Sequence, residues 1–159
     1  MTAHRDSCFI AAGCSDVFDL VADVERYPEF LSLWREARIY AHDDDVYFTE
    51  QEVGLGLLRE RFRTRTQLLR PESIVVTSDD SRFQAFGIRW TFEPLPGGCR
   101  AGIELSWEMR SRPLQRAIEL LLPTAARSMV DAFRRRAHAR LRCPPPDAPS
   151  HEVQQPPCR

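Results

Sequence analysis

Lysine is absent from this chain, so all 22 basic residues are arginine, which reads as a codon-usage bias rather than a binding surface. The formal net charge is −1, which removes any general attraction to nucleic acid, DNA included. No run of 18 apolar residues is present, so no segment is long enough to cross a bilayer as a helix. FIAAGC, ending at Cys14, resembles a lipoprotein cleavage site only superficially. The apolar stretch before it is too short for a secretion signal, and Ala11 stands where Leu is usual. Glycine-rich phosphate loops, nucleophile elbows and metal-ligand spacings are missing too. His4 and His151 fall in expected tails, His42 beside acids at a strand end, and His138 among arginines, none of them placed with a nucleophile. Asp43-Asp44-Asp45 reads as a solvated hairpin, because a calcium loop needs further ligands at fixed spacing. The five cysteines lack metal-type spacing and leave one unpaired, which points to a reducing cytoplasm.

What is present begins with VFDLVADVERYPEFL at 17–31. Val17, Leu20, Val21 and Val24 recur at helical spacing and make one apolar face, while Asp16, Asp19, Asp23 and Glu25 occupy the others. Ser15 is expected to cap this helix and Asp23 a second, short one. Pro28 is expected to push Tyr27 out of the α region. Tyr27, Phe30, Leu31 and Trp34 then cluster where the chain enters its first long strand.

From there the period changes to alternation. Segments near 35–42, 46–55, 58–69, 73–79, 85–93 and 99–109 read as strands divided by Asp, Gly and Pro turn signals, with a short extra strand at 8–12. Phe86, Ile88, Trp90 and Phe92 share one face of their strand, as do Ile103, Leu105, Trp107 and Met109 of theirs. A long helix is expected from Pro113 to about Leu141, kinked at Pro123, with an apolar stripe that includes Leu122, Met129, Val130 and Phe133. Residues 143–159 hold half of the 12 prolines and read as a disordered tail; Cys143 and Cys158 bracket it, with free thiols the default. Residues 1–142 are thus one α+β domain, a curved antiparallel sheet wrapped around a long C-terminal helix, with two short helices near the N-terminus. Such a grip leaves a cavity between sheet and helix.

Four ordered motifs carry a resemblance: VFDLVADVERYPEFL at 17–31, GLLRERF at 56–62, FGIRWTFEPL at 86–95 and ARSMVDAFRRRA at 126–137. They are similar to those of the coenzyme Q-binding, START-like proteins of the polyketide cyclase/dehydrase and lipid-transport superfamily, which include the bacterial RatA proteins. The chain departs from the family pattern at Ser32-Leu33-Trp34, where a Pro and often a Trp-Cys pair are common. The resemblance implies a helix-grip (START/Bet v 1-like) fold that sequesters ubiquinone or a related quinone without changing it chemically. The quinone is then a ligand and no cofactor is expected. It implies two other roles, association with a ribosomal subunit and, more remotely, polyketide ring closure.

The candidate ligand-binding residues are Tyr27, Phe30, Leu31 and Trp34 at an expected mouth, Leu58, Glu60 and Phe62 on one strand, Phe86, Trp90 and Trp107 on two others, and Leu122, Met129 and Phe133 on the helix. Glu60 is the anomaly, because it shares its face with Phe62 and a carboxylate in an apolar cavity must be paired, hydrated or protonated. One reading makes it half of a structural ion pair; the other makes it a polar anchor for a quinone carbonyl. Arg59, Arg61, Arg63 and Arg65 share the opposite face, where Glu50 and Glu52 have the right parity to be cross-strand partners. Between Arg112 and Arg142 eight arginines face only Glu119 and Asp131, a net of +6. Arg134, Arg135 and Arg136 near the helix end are expected to solvate that end, with an anionic membrane surface or a ribosomal subunit as the alternative contact. A cytoplasmic protein, peripheral at the inner membrane at most, is expected.

Overall fold

The computed structural model describes residues 2–142; the expected proline-rich tail with Cys143 and Cys158 lies outside the described residues. Seven antiparallel strands form one sheet in the order β1-β7-β6-β5-β4-β3-β2. They are β1 (Thr2–Ile10), β2 (Trp34–Asp43), β3 (Val46–Leu55), β4 (Leu58–Leu69), β5 (Ser73–Thr77), β6 (Phe83–Leu95) and β7 (Gly98–Met109). Helices α1 (Cys14–Ala22) and α2 (Tyr27–Phe30) flank a 3₁₀ turn at Val24–Arg26, and α3 (Arg112–Arg142) closes the domain as one helix that continues through Pro123.

Turn chemistry sets the sheet's register. β2–β3, β3–β4 and β6–β7 are joined by two-residue hairpins at Asp44-Asp45, Gly56-Leu57 and Pro96-Gly97. Asp44, Gly56 and Gly97 take the positive φ that such tight turns need. The three-acid run is therefore a hairpin, as its composition suggests.

Alternation then decides what is buried. Trp90, Phe92, Ile103, Leu105, Trp107 and Met109 all point into the core, where they meet Val17, Leu20, Val21 and Val24 of the first helical segment. Phe18, fully buried, adds an edge-on contact to Phe92 at 5.4 Å.

Three local expectations are corrected. The first strand starts at Thr2, so His4 is a strand residue opposite Leu105 and not part of a tail. Gly13 precedes α1, placing Ser15 inside the first turn without a cap, and Asp23 makes no side-chain cap either. Tyr27 is α-helical (φ −54°, ψ −40°), because Pro28 falls in the opening turn of α2, where a missing N–H costs nothing.

Candidate functional site

A cavity of about 230 Å³ opens between the concave face of the sheet and α3. Its walls take residues from every strand except β1 and from all three helices or their ends. Ten of the thirteen candidate residues line it: Tyr27, Trp34, Leu58, Glu60, Phe62, Phe86, Trp90, Trp107, Leu122 and Met129. All three tryptophans of the chain are among them.

Phe30, Leu31 and Phe133 do not line it. Leu31 and Phe133 are core, and Phe133 packs edge-on against Tyr27, Phe30 and Trp90 with centroids 5.2–5.3 Å apart. These three support the wall from behind. Exposed apolar side chains at the cavity's edge are Leu57 and Leu58 of the β3–β4 hairpin and Leu121 of α3, whereas the exposed Leu120 falls on the helix face opposite Ile118, Leu122, Ala125 and Met129. Leu58 and Leu121 also line the cavity. Of the segment 27–34, Tyr27 and Leu31 are buried, Phe30, Leu33 and Trp34 are partly buried and Pro28, Glu29 and Ser32 are exposed, and Tyr27, Leu33 and Trp34 line the cavity.

Glu60 is paired. Its carboxylate meets Arg82 Nε at 3.1 Å, and the Arg82 guanidinium also reaches Asp80 at 3.4 Å and the Arg61 carbonyl. Both Glu60 and Arg82 line the cavity, and the Glu60 side chain keeps 27% exposure. The ion-pair reading of Glu60 therefore holds, its inward cation being Arg82 from the loop before β6.

A second polar group sits deeper on the sheet wall. Trp34 Nε1–H donates to Gln51 Oε1 at 2.7 Å, and Gln51 Nε2 donates to Thr49 at 2.8 Å and Thr64 at 3.2 Å. The Thr49 and Thr64 hydroxyls are 2.7 Å apart. Tyr47 donates its hydroxyl to the Ala22 carbonyl at 2.8 Å, and burial pushes that phenol up to about 12 despite the neighbouring Thr66 hydroxyl. Gln51, Thr64, Thr66 and Tyr47 all line the cavity. Sequence reading singled out none of them as site residues, although strand parity places Thr64 and Thr66 on the same face as Phe62. Buried hydroxyls and amides carry no hydropathy signal, so only the sheet register brings these side chains together.

The outer face of β4 behaves as its pattern implies. Arg61 meets Glu50 at 2.9 Å, Glu52 at 2.8 Å and Glu36 at 3.1 Å, and Arg63 meets Glu50 at 3.3 Å. Helix-end arginines divide into two kinds. Arg136 is half-buried, pairs with Glu29 and lies 5.3 Å over the Phe30 ring, so it ties α3 to α2. Arg134 pairs with Asp131 at 3.0 Å, and Arg134 and Arg135 are exposed. His138 accepts a hydrogen bond from the Ala11 amide at 3.2 Å, a structural role. Among the described residues no cluster of His, Cys, Asp and Glu is arranged to hold a metal, and no helix is long and apolar enough to cross a membrane.

The family model described as polyketide cyclase/dehydrase and lipid transport matches residues 10–134. The chain belongs to this family. Its sequence is 32% identical to the ribosome association toxin RatA of Pseudomonas aeruginosa, over 86% of this chain and 96% of that one. It is 22% identical to the mitochondrial coenzyme Q-binding protein COQ10 homolog B of Xenopus laevis, over 84% of this chain and 57% of that one. The fold matches the Zhui aromatase/cyclase of Streptomyces sp. R1128 with a TM-score of 0.79 at 13% identity, covering 89% of this chain and 96% of that one. The chain is thus a RatA/COQ10-like member with a START-type helix-grip fold.

Proposed function

We propose that this protein binds and carries a hydrophobic isoprenoid lipid, a quinone by preference, in the cavity between sheet and α3, without changing it chemically and without a resident cofactor. The observation that carries the reading is the wall itself. Phe62, Phe86, Trp90, Trp107, Leu122 and Met129 surround a space whose acidic and basic groups, Glu60 and Arg82, are spent on each other. Each methylene removed from water contributes about 0.8 kcal/mol, so a short length of prenyl tail supplies affinity without directional contacts. The likeness to a coenzyme Q-binding protein supports the same ligand class. A volume of about 230 Å³ lies below the roughly 300–1,000 Å³ of most ligand pockets, so a long tail does not fit whole. Affinity should rise over the first isoprene units and then level off. Titration of quinones of increasing tail length, followed by quenching of Trp34, Trp90 and Trp107, tests this; equal affinity for a bare head group and a tailed quinone would overturn it.

The 32% identity to a ribosome association toxin favours a second reading, contact with a ribosomal subunit in the cytoplasm through the exposed end of α3. Cosedimentation with purified subunits, lost on Arg134→Glu and Arg135→Glu, is the outcome it requires. Arg136 is left out of that variant because it holds α2.

A further inference from the structure

The polar group on the sheet wall has a surplus of donors, and counting protons shows where. Gln51 spends both amide hydrogens on Thr49 and Thr64 and takes one from Trp34. Thr49 and Thr64 share one hydrogen bond between two hydroxyls, so one of their two protons has no acceptor within the group. Thr49 is fully buried behind the wall, whereas Thr64 lines the cavity. The arrangement that leaves no proton stranded in the interior has Thr49 donating to Thr64 and Thr64 donating into the cavity. Trp107, another wall residue with only 6% exposure, also carries an indole N–H with no partner among the described residues. Charge is the complementary observation. Among the described residues Arg82 is the one cation in the lining, and Glu60 and Asp80 already neutralise it.

We infer that Thr64, oriented by Gln51 and Thr49, is the hydrogen-bond donor to an uncharged acceptor head group, a carbonyl of the quinone or ketone type, and that this subsite selects neutral lipids over anionic ones. The inference rests on the cavity being the lipid site. A carbonyl takes the stranded proton at no cost in charge. A carboxylate or phosphate would enter a low-dielectric space with no free cation to meet it and with the Glu60 carboxylate in the same wall.

Three probes compared on wild type, Thr64→Val and Thr64→Ser test the subsite: a decyl-substituted benzoquinone, an alkylbenzene of matched tail without oxygens, and a long-chain fatty acid at neutral pH. Thr64→Val keeps the shape and removes the hydroxyl, so quinone binding should weaken about three- to tenfold, the range expected for one net hydrogen bond. Alkylbenzene binding should stay the same, and Thr64→Ser should restore the quinone. Equal weakening for quinone and alkylbenzene, no weakening of either, or preference of the wild type for the fatty acid would each overturn the subsite. Failure of the wild type to bind both quinone and alkylbenzene would instead overturn the cavity as a lipid site, and the subsite with it. Should Thr64→Val fail to fold, the carbonyl stretch of quinone bound to the wild type decides the matter. It should lie below its value in hydrocarbon solvent, and an unshifted band rules the donor out.

Discussion

Two apolar regions flank the cavity, and they are built for opposite purposes. Tyr27, Phe30, Trp34 and Phe133 meet in edge-on pairs with centroids 5.2–6.0 Å apart, the Tyr27 hydroxyl donates to the Val21 carbonyl, and Arg136 covers Phe30. Leu57, Leu58 and Leu121 instead leave large apolar side chains in water, with Leu57 105% exposed. Aromatic rings with fixed partners and a hydrogen-bonded tip make a rigid wall. Leucine side chains left in solvent without partners make an exposed apolar rim. Apolar content alone does not separate the two; the partners of each side chain do.

The largest expected effect breaks the rigid side. Phe133→Ala removes a ring that is 1% exposed and contacts three other aromatics, and should cost about 3–5 kcal/mol in urea unfolding. Leu57→Ser on the rim should change stability by less than about 0.5 kcal/mol. Similar losses at the two sites would mean that the rim is packed in solution.

Alkali should act on the rigid side as well. Burial raises Tyr27 well above its ordinary value and Tyr47 to about 12, and burial, then the neighbouring Cys14 thiol, raises Cys99 to about 12. Each group is neutral when protonated, and the folded protein holds its proton more tightly than the unfolded chain does. The contribution is therefore complete below the ordinary values of 9 for a thiol and 10 for a phenol. It is lost as pH climbs from there toward 12. Tyr47 alone should account for about 2–3 kcal/mol of that loss, measured as a falling urea midpoint between pH 9 and 12. Tyr47→Phe should flatten the curve.

Between wall and rim stands Met129, buried yet facing the cavity. Met129→Trp should fill the space and lower quinone affinity at least tenfold while the protein stays folded, since a cavity absorbs bulk that a packed core does not. Unfolding of this variant, checked by near-UV circular dichroism, would assign Met129 to the rigid side instead.

The sequence made the scaffold legible because its periods are clean. Alternation on β6 and β7 and helical spacing on α1 and α3 decide which side chains face inward, and the Arg61–Glu50 and Arg61–Glu52 pairs follow from the same parity. Ten cavity residues were readable for that reason. The distinction between wall and rim was not. It depends on whether Phe133 meets the Tyr27 and Phe30 rings across more than a hundred residues of chain, and period reports only which face of an element is apolar. Glu60 shows the same limit, because Arg82 reaches it only through the closure of β4 against the loop before β6. The Gln51 group needed both registers, β2–β3 and β3–β4, before its members came together.

The rim supplies the smallest effect on stability and the sharpest test of delivery. A quinone resides in a bilayer, so a carrier must place its open side against one. Leu57 is the side chain with most apolar area to bury there, and Arg59 follows the hairpin tip with 65% of its side chain exposed. On the carrier reading the β3–β4 hairpin is therefore a further candidate docking surface beside 27–34 and the helix end. Flotation with anionic vesicles at low salt should recover the wild type, and Leu57→Asp should lower recovery with the fold and quinone binding intact. Arg134→Glu with Arg135→Glu should leave flotation unchanged, and under the ribosome reading should abolish subunit cosedimentation. Loss of flotation in the arginine variant but not in the leucine variant would return docking to the helix end. Failure of the wild type to float on anionic vesicles would remove the membrane step, leaving the leucine rim to a protein or ribosomal surface.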